Sequence, residues 1–230
     1  MVSVVIPTYK EENYIGATLR ALKQQTYRSI EVIVSDSSSP DDTVRIARKF
    51  ADKVVVTKQR GISLGRNLGA KAAQGDILLF IDADTALHPD FITNIARAFE
   101  DGSVVMAAGV IRSDGPLVGR LIYRACGELA WLLAKINHPR IYGICMAVRR
   151  NAFEKLGGFD EKLETAEDMD ITGRARKLGK CLVLRNAIAY TSSRRLKMGA
   201  GTLYTVGYHV ANFFRYRLLG TGAKGYPVIR

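Results

Sequence analysis

Asp82-Ala-Asp84 is the sharpest chemical signal in the chain. Two carboxylates separated by one small residue cannot both be buried without a cation or hydrogen-bond donors. In an extended segment, residues two apart point the same way. A hard divalent cation such as Mn²⁺ or Mg²⁺ takes oxygen ligands, commonly one or two carboxylates plus substrate phosphates, and Ala83 leaves room for it. The competing reading is local: Asp84 or Thr85 capping a helix that starts near Pro89. Two more acidic signals, Glu11 and Asp36, also follow apolar runs.

These residues gain meaning from the elements before them. Val2–Ile6 is a β-branched run ending at Pro7, and Ile30–Val34 and Val54–Thr57 are similar. Ile77–Ile81 is a fourth buried run, and Asp82 follows it directly. Each reads as a strand. Between them, Glu11–Gln25, Thr43–Phe50 and Ser63–Ala73 have helical spacing, and Pro89–Glu100 continues the pattern. Alternation of this kind predicts an α/β fold, a mostly parallel sheet with helices on both faces. Such sheets bind ligands beyond the carboxyl ends of their strands, where Glu11, Asp36 and the Asp82/Asp84 pair fall. Further on, Val104–Ile111 and Ile144–Arg149 read as strands, and Cys181–Leu184 and Ala187–Thr191 as two short ones. Leu117–Ile136 reads as an amphipathic helix, Ala152–Leu156 as a short one and Glu167–Leu178 as another.

Composition narrows the classes. The chain has 230 residues, 47% hydrophobic and 24% charged, which suits a globular domain with a sizeable core. Cys126, Cys145 and Cys181 have no zinc-like spacing, so a reducing compartment is expected. Met1-Val-Ser-Val-Val-Ile-Pro7 lacks a basic leader region, and no uncharged apolar run approaches a membrane span. Residues 1–170 carry 22 acidic and 22 basic side chains, whereas 171–230 carry 12 basic and none acidic, so the whole +12 charge lies there. A block this one-sided seeks an anionic partner or forms a solvated face.

Six segments in order make the chain recognisable. They are Val4-Val-Ile-Pro-Thr-Tyr-Lys-Glu-Glu12, Glu31-Val-Ile-Val-Ser-Asp36, Gly65-Arg-Asn-Leu-Gly69, Asp82-Ala-Asp84, Gly157-Gly-Phe-Asp-Glu161 and Glu167-Asp168. Together they resemble the inverting glycosyltransferases of family 2, which have the GT-A fold, a Rossmann-like sheet flanked by helices. The resemblance runs from residue 2 to about residue 195. No Gly-rich dinucleotide or P-loop signature competes with it.

The resemblance implies roles. Pro7, Tyr9 and Glu11 would hold the base and ribose of a nucleotide-sugar donor, and Asp36 would contact the base. The family's usual Asp-Asp-Gly-Ser reads Ser35-Asp36-Ser37-Ser38 here. Arg66 would lie near the nucleotide, donating to a phosphate or orienting the Asp82 loop. Asp82, Ala83 and Asp84 would meet the donor, with Asp84 and Asp82 as ligands of Mn²⁺ or Mg²⁺. Ala86 stands where some polyprenyl-phosphate glycosyl synthases carry a further metal contact, a Gln. Asp168 would be the general base, and Glu167 would hold acceptor or sugar hydroxyls. Arg194 and Arg195 are candidates for a clamp on the diphosphate or for a membrane-surface role.

The expected domains are a catalytic unit over 1–195, divided into a nucleotide-binding half (1–100) and an acceptor-binding half (101–195), and a basic aromatic segment over 196–230. Gly199–Phe214 carries no formal charge, is rich in Tyr and Phe and is flanked by Arg and Lys. It suits either a helix in the headgroup region or a packed C-terminal helix. The first reading makes the acceptor a lipid or glycolipid and puts the chain at the cytoplasmic membrane face, peripherally or as part of a membrane protein. By analogy with lipid-directed members, the donor is expected to be GDP-mannose ahead of a UDP-hexose. Two other functions compete: a basic nucleic-acid-binding module, and a family-like scaffold without catalysis. No zinc-finger or RRM-like signature supports the first, and the retained Asp82, Asp84 and Asp168 speak against the second.

Overall fold

The computed structural model describes residues 1–113, 115–192, 194, 207, 208, 211, 212, 215, 216, 218 and 220–223. The expected 196–230 segment therefore lies largely outside the described residues, as does Arg195.

Alternating apolar runs build the first half. β1 (Val2–Thr8), α1 (Ile15–Lys23), β2 (Ile30–Asp36), α2 (Thr43–Ala47), β3 (Lys53–Val56), α3 (Ile62–Ala72) and β4 (Ile77–Ile81) follow in order. β1 is parallel to both β2 and β4, and β2 is parallel to β3. Both faces of β1 and β4 are buried. Val4, Ile6, Leu79 and Ile81 face one core with Ile15 and Leu19 of α1. Val5, Leu78 and Phe80 face the other with Ala70 of α3. Successive strand residues point to opposite faces, so an unbroken apolar run serves two cores at once.

The chain leaves β1 over one face through α1 and enters β4 from the other through α3. That divergence opens a crevice at the carboxyl ends of β1 and β4, where open α/β sheets place their ligands.

The second half completes the sheet with β5 (Thr85–Leu87), α4 (Phe91–Ala98), β6 (Val104–Arg112), α5 (Leu117–Lys135), β7 (Cys145–Arg149), α6 (Arg150–Lys155), α7 (Glu167–Ala175) and β8 (Lys180–Thr191). The strand order is β3-β2-β1-β4-β7-β6-β8-β5. Among the described residues four pairings are parallel and three antiparallel, so the sheet is parallel by a narrow margin and mixed in its second half.

Three local readings change. Thr85–Leu87 is an edge strand antiparallel to β8 rather than the start of a helix cap. Asp90 precedes α4, and no side chain caps that helix. The two short strands expected near the end are one, β8, with an irregular register where Gly109 and Val110 face it and with Arg185 and Asn186 exposed. Third, β1 runs through Pro7 to Thr8. The missing Pro amide is tolerable because β1 is ending there.

Among the described residues no helix is long and apolar enough to cross a membrane.

Candidate active site

The loop after β1 forms one wall of the crevice. Lys10 adopts φ 57°, a left-handed turn that carries Glu11 back over the sheet edge. The Lys10 amide donates to Ser39 Oγ and the Glu11 amide to Thr43 Oγ1, both at 2.8 Å. Tyr9 packs under Arg60, whose guanidinium lies 4.4 Å from the ring centroid and donates to the phenol oxygen at 2.7 Å. Asp36 is wholly buried. Its carboxylate accepts from Thr8 Oγ1, the Ser39 amide and Ser39 Oγ, each at 2.7 Å. Asp36 thus ties the loops after β1 and β2 together.

Asp82, Ala83 and Asp84 leave β4 at the same end. Thr18 Oγ1 donates to the Ala83 carbonyl at 2.7 Å, and the Asp82 amide donates to the Ile144 carbonyl at 3.2 Å. These bonds fix the backbone between the two carboxylates. Asp82, Asp84 and Glu11 line one cavity of about 240 Å³ with Pro7, Tyr9 and Arg194. Arg194 reaches in from the segment after β8. Its Nη atoms contact both Glu11 oxygens at 2.9 and 2.7 Å, and its Nε lies 3.0 Å from Asp84 Oδ2. Its guanidinium lies 4.4 Å from the Tyr14 ring centroid. Burial opposes the arginine's charge, but the Glu11 hydrogen bonds and the Asp84 carboxylate outweigh it and raise its pKa.

Behind the cavity lies a second charged layer. Arg66 projects from α3 and is 1% exposed. It donates to Glu167 Oε1 at 2.6 Å and to the Gly143 carbonyl at 2.9 Å, and approaches Asp82 Oδ1 at 3.4 Å. The Phe159 ring lies 5.2 Å from its guanidinium. Burial works against the Arg66 charge, but the Glu167 and Asp82 carboxylates raise its pKa. Burial pushes the Glu167 carboxyl up, and Arg66 draws it back.

Gly143 joins this layer to Asp168. Its carbonyl holds Arg66, and its amide donates to Asp168 Oδ2 at 3.0 Å. A Cβ on Gly143 would lie 2.7 Å from Arg66 Nη2, so a side chain there would push the guanidinium away. Ala166, at φ 65°, turns the chain into α7 so that Glu167 faces inward and Asp168 meets Gly143. A left-handed alanine costs about 1–2 kcal/mol, and such strain gathers at functional sites. Asp170, two residues after Asp168, is paired with Arg174 and accepts from Tyr216 Oη at 3.0 Å, so it braces α7.

The family model for glycosyl transferase family 2 matches residues 3–157. The chain belongs to glycosyl transferase family 2. A Haloferax volcanii glycosyltransferase, AglE, is 28% identical over 81% of this chain and 65% of its own length. This family 2 chain thus spans under two thirds of that relative. Among solved structures, the mannosyltransferase PcManGT from Pyrobaculum calidifontis, in complex with GDP-Man and Mn²⁺, superposes with a TM-score of 0.74 at 21% identity. That match covers 98% of this chain and 66% of the other. Staphylococcus aureus TarS 1–349 in complex with UDP-GlcNAc gives 0.65 at 22% identity, covering 98% and 68%. These superpositions establish the GT-A fold.

In this family 2 chain the structure gathers Pro7, Tyr9, Glu11, Asp82, Ala83, Asp84 and Arg194 around one cavity, with Arg66, Glu167 and Asp168 behind it. Asp36 faces the loops, and Glu167 faces Arg66. Sequence reasoning missed Thr8, Ser37, Arg60, Gly61 and Ile62, which also line the cavity, and Gly143 behind it. Arg60-Gly61 had a readable signal: a Gly just before a helix that must return to a strand beside the Asp82 loop. Gly143 had none, because its partners are 77 and 25 residues away.

The donor set suits a hard divalent cation. Asp82 and Asp84 offer oxygen ligands on one cavity wall, with their intervening backbone fixed by Thr18. Among the described residues no group of three His, Cys, Asp or Glu could hold a metal, so the other ligands would come from a bound diphosphate or water.

Proposed function

We propose that this chain transfers a hexose from a nucleotide-diphospho-sugar to a membrane-borne lipid or lipid-linked acceptor, inverting the anomeric centre. The observation that carries the reading is the shared cavity. The Asp82 and Asp84 carboxylates, just after β4, and the Arg194 guanidinium sit at one end of it, and the Asp168 carboxylate, held by the Gly143 amide, lies behind it.

Inversion is a single displacement, so no covalent nucleophile is needed. Asp168 takes the proton of the acceptor hydroxyl as its oxygen bonds to the anomeric carbon and the bond to the diphosphate breaks. The nucleoside diphosphate leaves with the bonding electrons. Asp82 and Asp84 would hold Mn²⁺ or Mg²⁺, which when bound neutralises charge on the departing diphosphate. Arg194 turns from Glu11 to the phosphates and adds electrostatic stabilisation. Arg66 keeps Glu167 and the Gly143 backbone in place, and through them Asp168.

The PcManGT complex with GDP-Man and Mn²⁺ supports GDP-mannose as donor, and the TarS complex with UDP-GlcNAc keeps a UDP-hexose as the second choice. The basic, aromatic C-terminal sequence supports an acceptor and a location at the cytoplasmic membrane face.

Thermal-shift titration of GDP- and UDP-sugars, with and without Mn²⁺ or Mg²⁺, tests the reading. A donor near 100 times its Kd adds about 2.7 kcal/mol of stability, a shift of several degrees. The gain should need the metal and vanish in Asp84→Ala. If no nucleotide sugar stabilises the protein under any metal condition, the reading is wrong.

A further inference from the structure

Among the described residues the outer face of α5 has no partner. Leu117, Val118, Leu121, Leu129, Leu132 and Ile136 at its end are all exposed, the last at 66% and Leu117 at 61%. At 100° per residue they form one stripe along the helix. The opposite side is buried through Gly119, Gly127 and Ala130, small residues that let α5 lie close to the sheet. A soluble surface helix normally shows the reverse pattern, with large apolar residues inward.

The charges beside the stripe have one sign. Arg120, Arg124 and Lys135 are exposed. Glu128 is the helix's one acid, and Arg112 and Arg185 take its two oxygens at 2.8 and 2.6 Å. Trp131 sits at the border, with Lys135 and Arg185 stacked 4.6 and 4.3 Å from its ring centroid. An apolar stripe with a basic margin and an aromatic edge matches a helix lying in the headgroup layer.

We infer that the outer face of α5 docks this protein on an anionic lipid bilayer. Charge selects the occupant. The exposed Arg120, Arg124 and Lys135 beside the stripe, with Glu128 already neutralised by Arg112 and Arg185, would repel the same basic margin on a second copy and are drawn to a negative surface. The placement also serves the site. The chain leaves α5 at Lys135 and eight residues later reaches Gly143, which holds Arg66 and Asp168. Docking through α5 brings the acceptor side of the cavity to the lipid surface. The inference rests on the reading of a membrane-borne acceptor. Donor stabilisation in solution is measured without lipid, so the two fail separately.

Trp131 is the chain's only tryptophan, so its fluorescence reports on α5 alone. The full chain is mixed with phosphatidylcholine–phosphatidylglycerol vesicles whose phosphatidylcholine carries brominated acyl chains. Trp131 emission should be quenched on these vesicles and not on pure phosphatidylcholine. Leu121→Ser with Leu132→Ser, both at exposed positions, should weaken vesicle binding about tenfold or more while far-UV circular dichroism is unchanged. Absence of binding overturns the inference. So does binding that leaves Trp131 unquenched, which would assign docking to the C-terminal segment. A wild-type dimer in sedimentation that the same substitutions dissociate, with no vesicle binding, would make the stripe a self-association face and also overturns it.

Discussion

Arg66 and Glu167 are 101 residues apart in sequence and meet at 2.6 Å, the arginine 1% exposed and the glutamate 8%. The pair locks α3 to the start of α7 beneath the cavity. Removing one partner of such a pair strands the other's charge in a place water does not reach.

Arg66→Met should therefore lower folding stability by about 3–5 kcal/mol, read by urea denaturation. Arg66→Lys should lose less, because the ammonium keeps the charge but cannot hold Glu167 and the Gly143 carbonyl in one fork. A loss below about 1 kcal/mol in Arg66→Met would show that the pair is not needed for the fold.

Asp168→Asn keeps the shape and removes the proposed base. Turnover should fall about 10²–10⁴-fold, while metal-dependent thermal stabilisation by the donor stays at the wild-type value. Wild-type turnover in this variant would move the proton transfer to another group.

On the proposed reading Arg194 would compete with a metal for Asp84. Its guanidinium, paired with Glu11 and 3.0 Å from Asp84, already supplies positive charge there. Arg194 lines the same cavity of about 240 Å³, so a donor entering it would meet the guanidinium. Arg194→Ala should tighten Mn²⁺ binding to the donor-free protein about tenfold, a change of roughly 1.4 kcal/mol in calorimetric titration. Turnover should fall in the same variant, since the leaving diphosphate loses a cation.

Asp101 gives an acid-range test. The Ser103 hydroxyl and amide, then Lys180, hold its carboxyl down from the ordinary 3.8 to about 2. Its folded pKa lies below its unfolded one, so its contribution is full above the unfolded value and is lost as pH falls toward 2. The site is exposed, so the effect is small. Asp101→Asn should melt below wild type at neutral pH, and the gap should close between pH 4 and about 2 in a series of thermal melts.

Strand runs with two buried faces were legible in the sequence, because β-branched stretches such as Val2–Ile6 and Ile77–Ile81 have few other uses. The Asp82-Ala-Asp84 pair was legible for the same reason, since it directly follows one of them. β5 was not. Three residues carry no period, and Thr85–Leu87 is a strand only because β8 returns beside it. Arg185-Asn186 split β8 in the sequence, although the backbone pairing resumes after a shift in register. Arg66 had a signal in its neighbours: Gly65, Gly69 and Ala70 form the small-residue face of α3, and an arginine within that face must be buried. Its partner could not be read, since Glu167 and Gly143 arrive from distant segments. Asp36 was legible as an acid at the end of β2, whereas its bond to Thr8 depends on β1 lying alongside.

Ser192 donates its amide to the Asp84 carbonyl at 3.2 Å, just after β8 leaves its pairing with β5. The arginine two positions later is thus leashed to the backbone of its own counterion. The short tether keeps its effective concentration beside Asp84 high. A longer tether, made by inserting glycines between Ser192 and Arg194, would lower that concentration and loosen the ion pair without changing any charged group of the cavity.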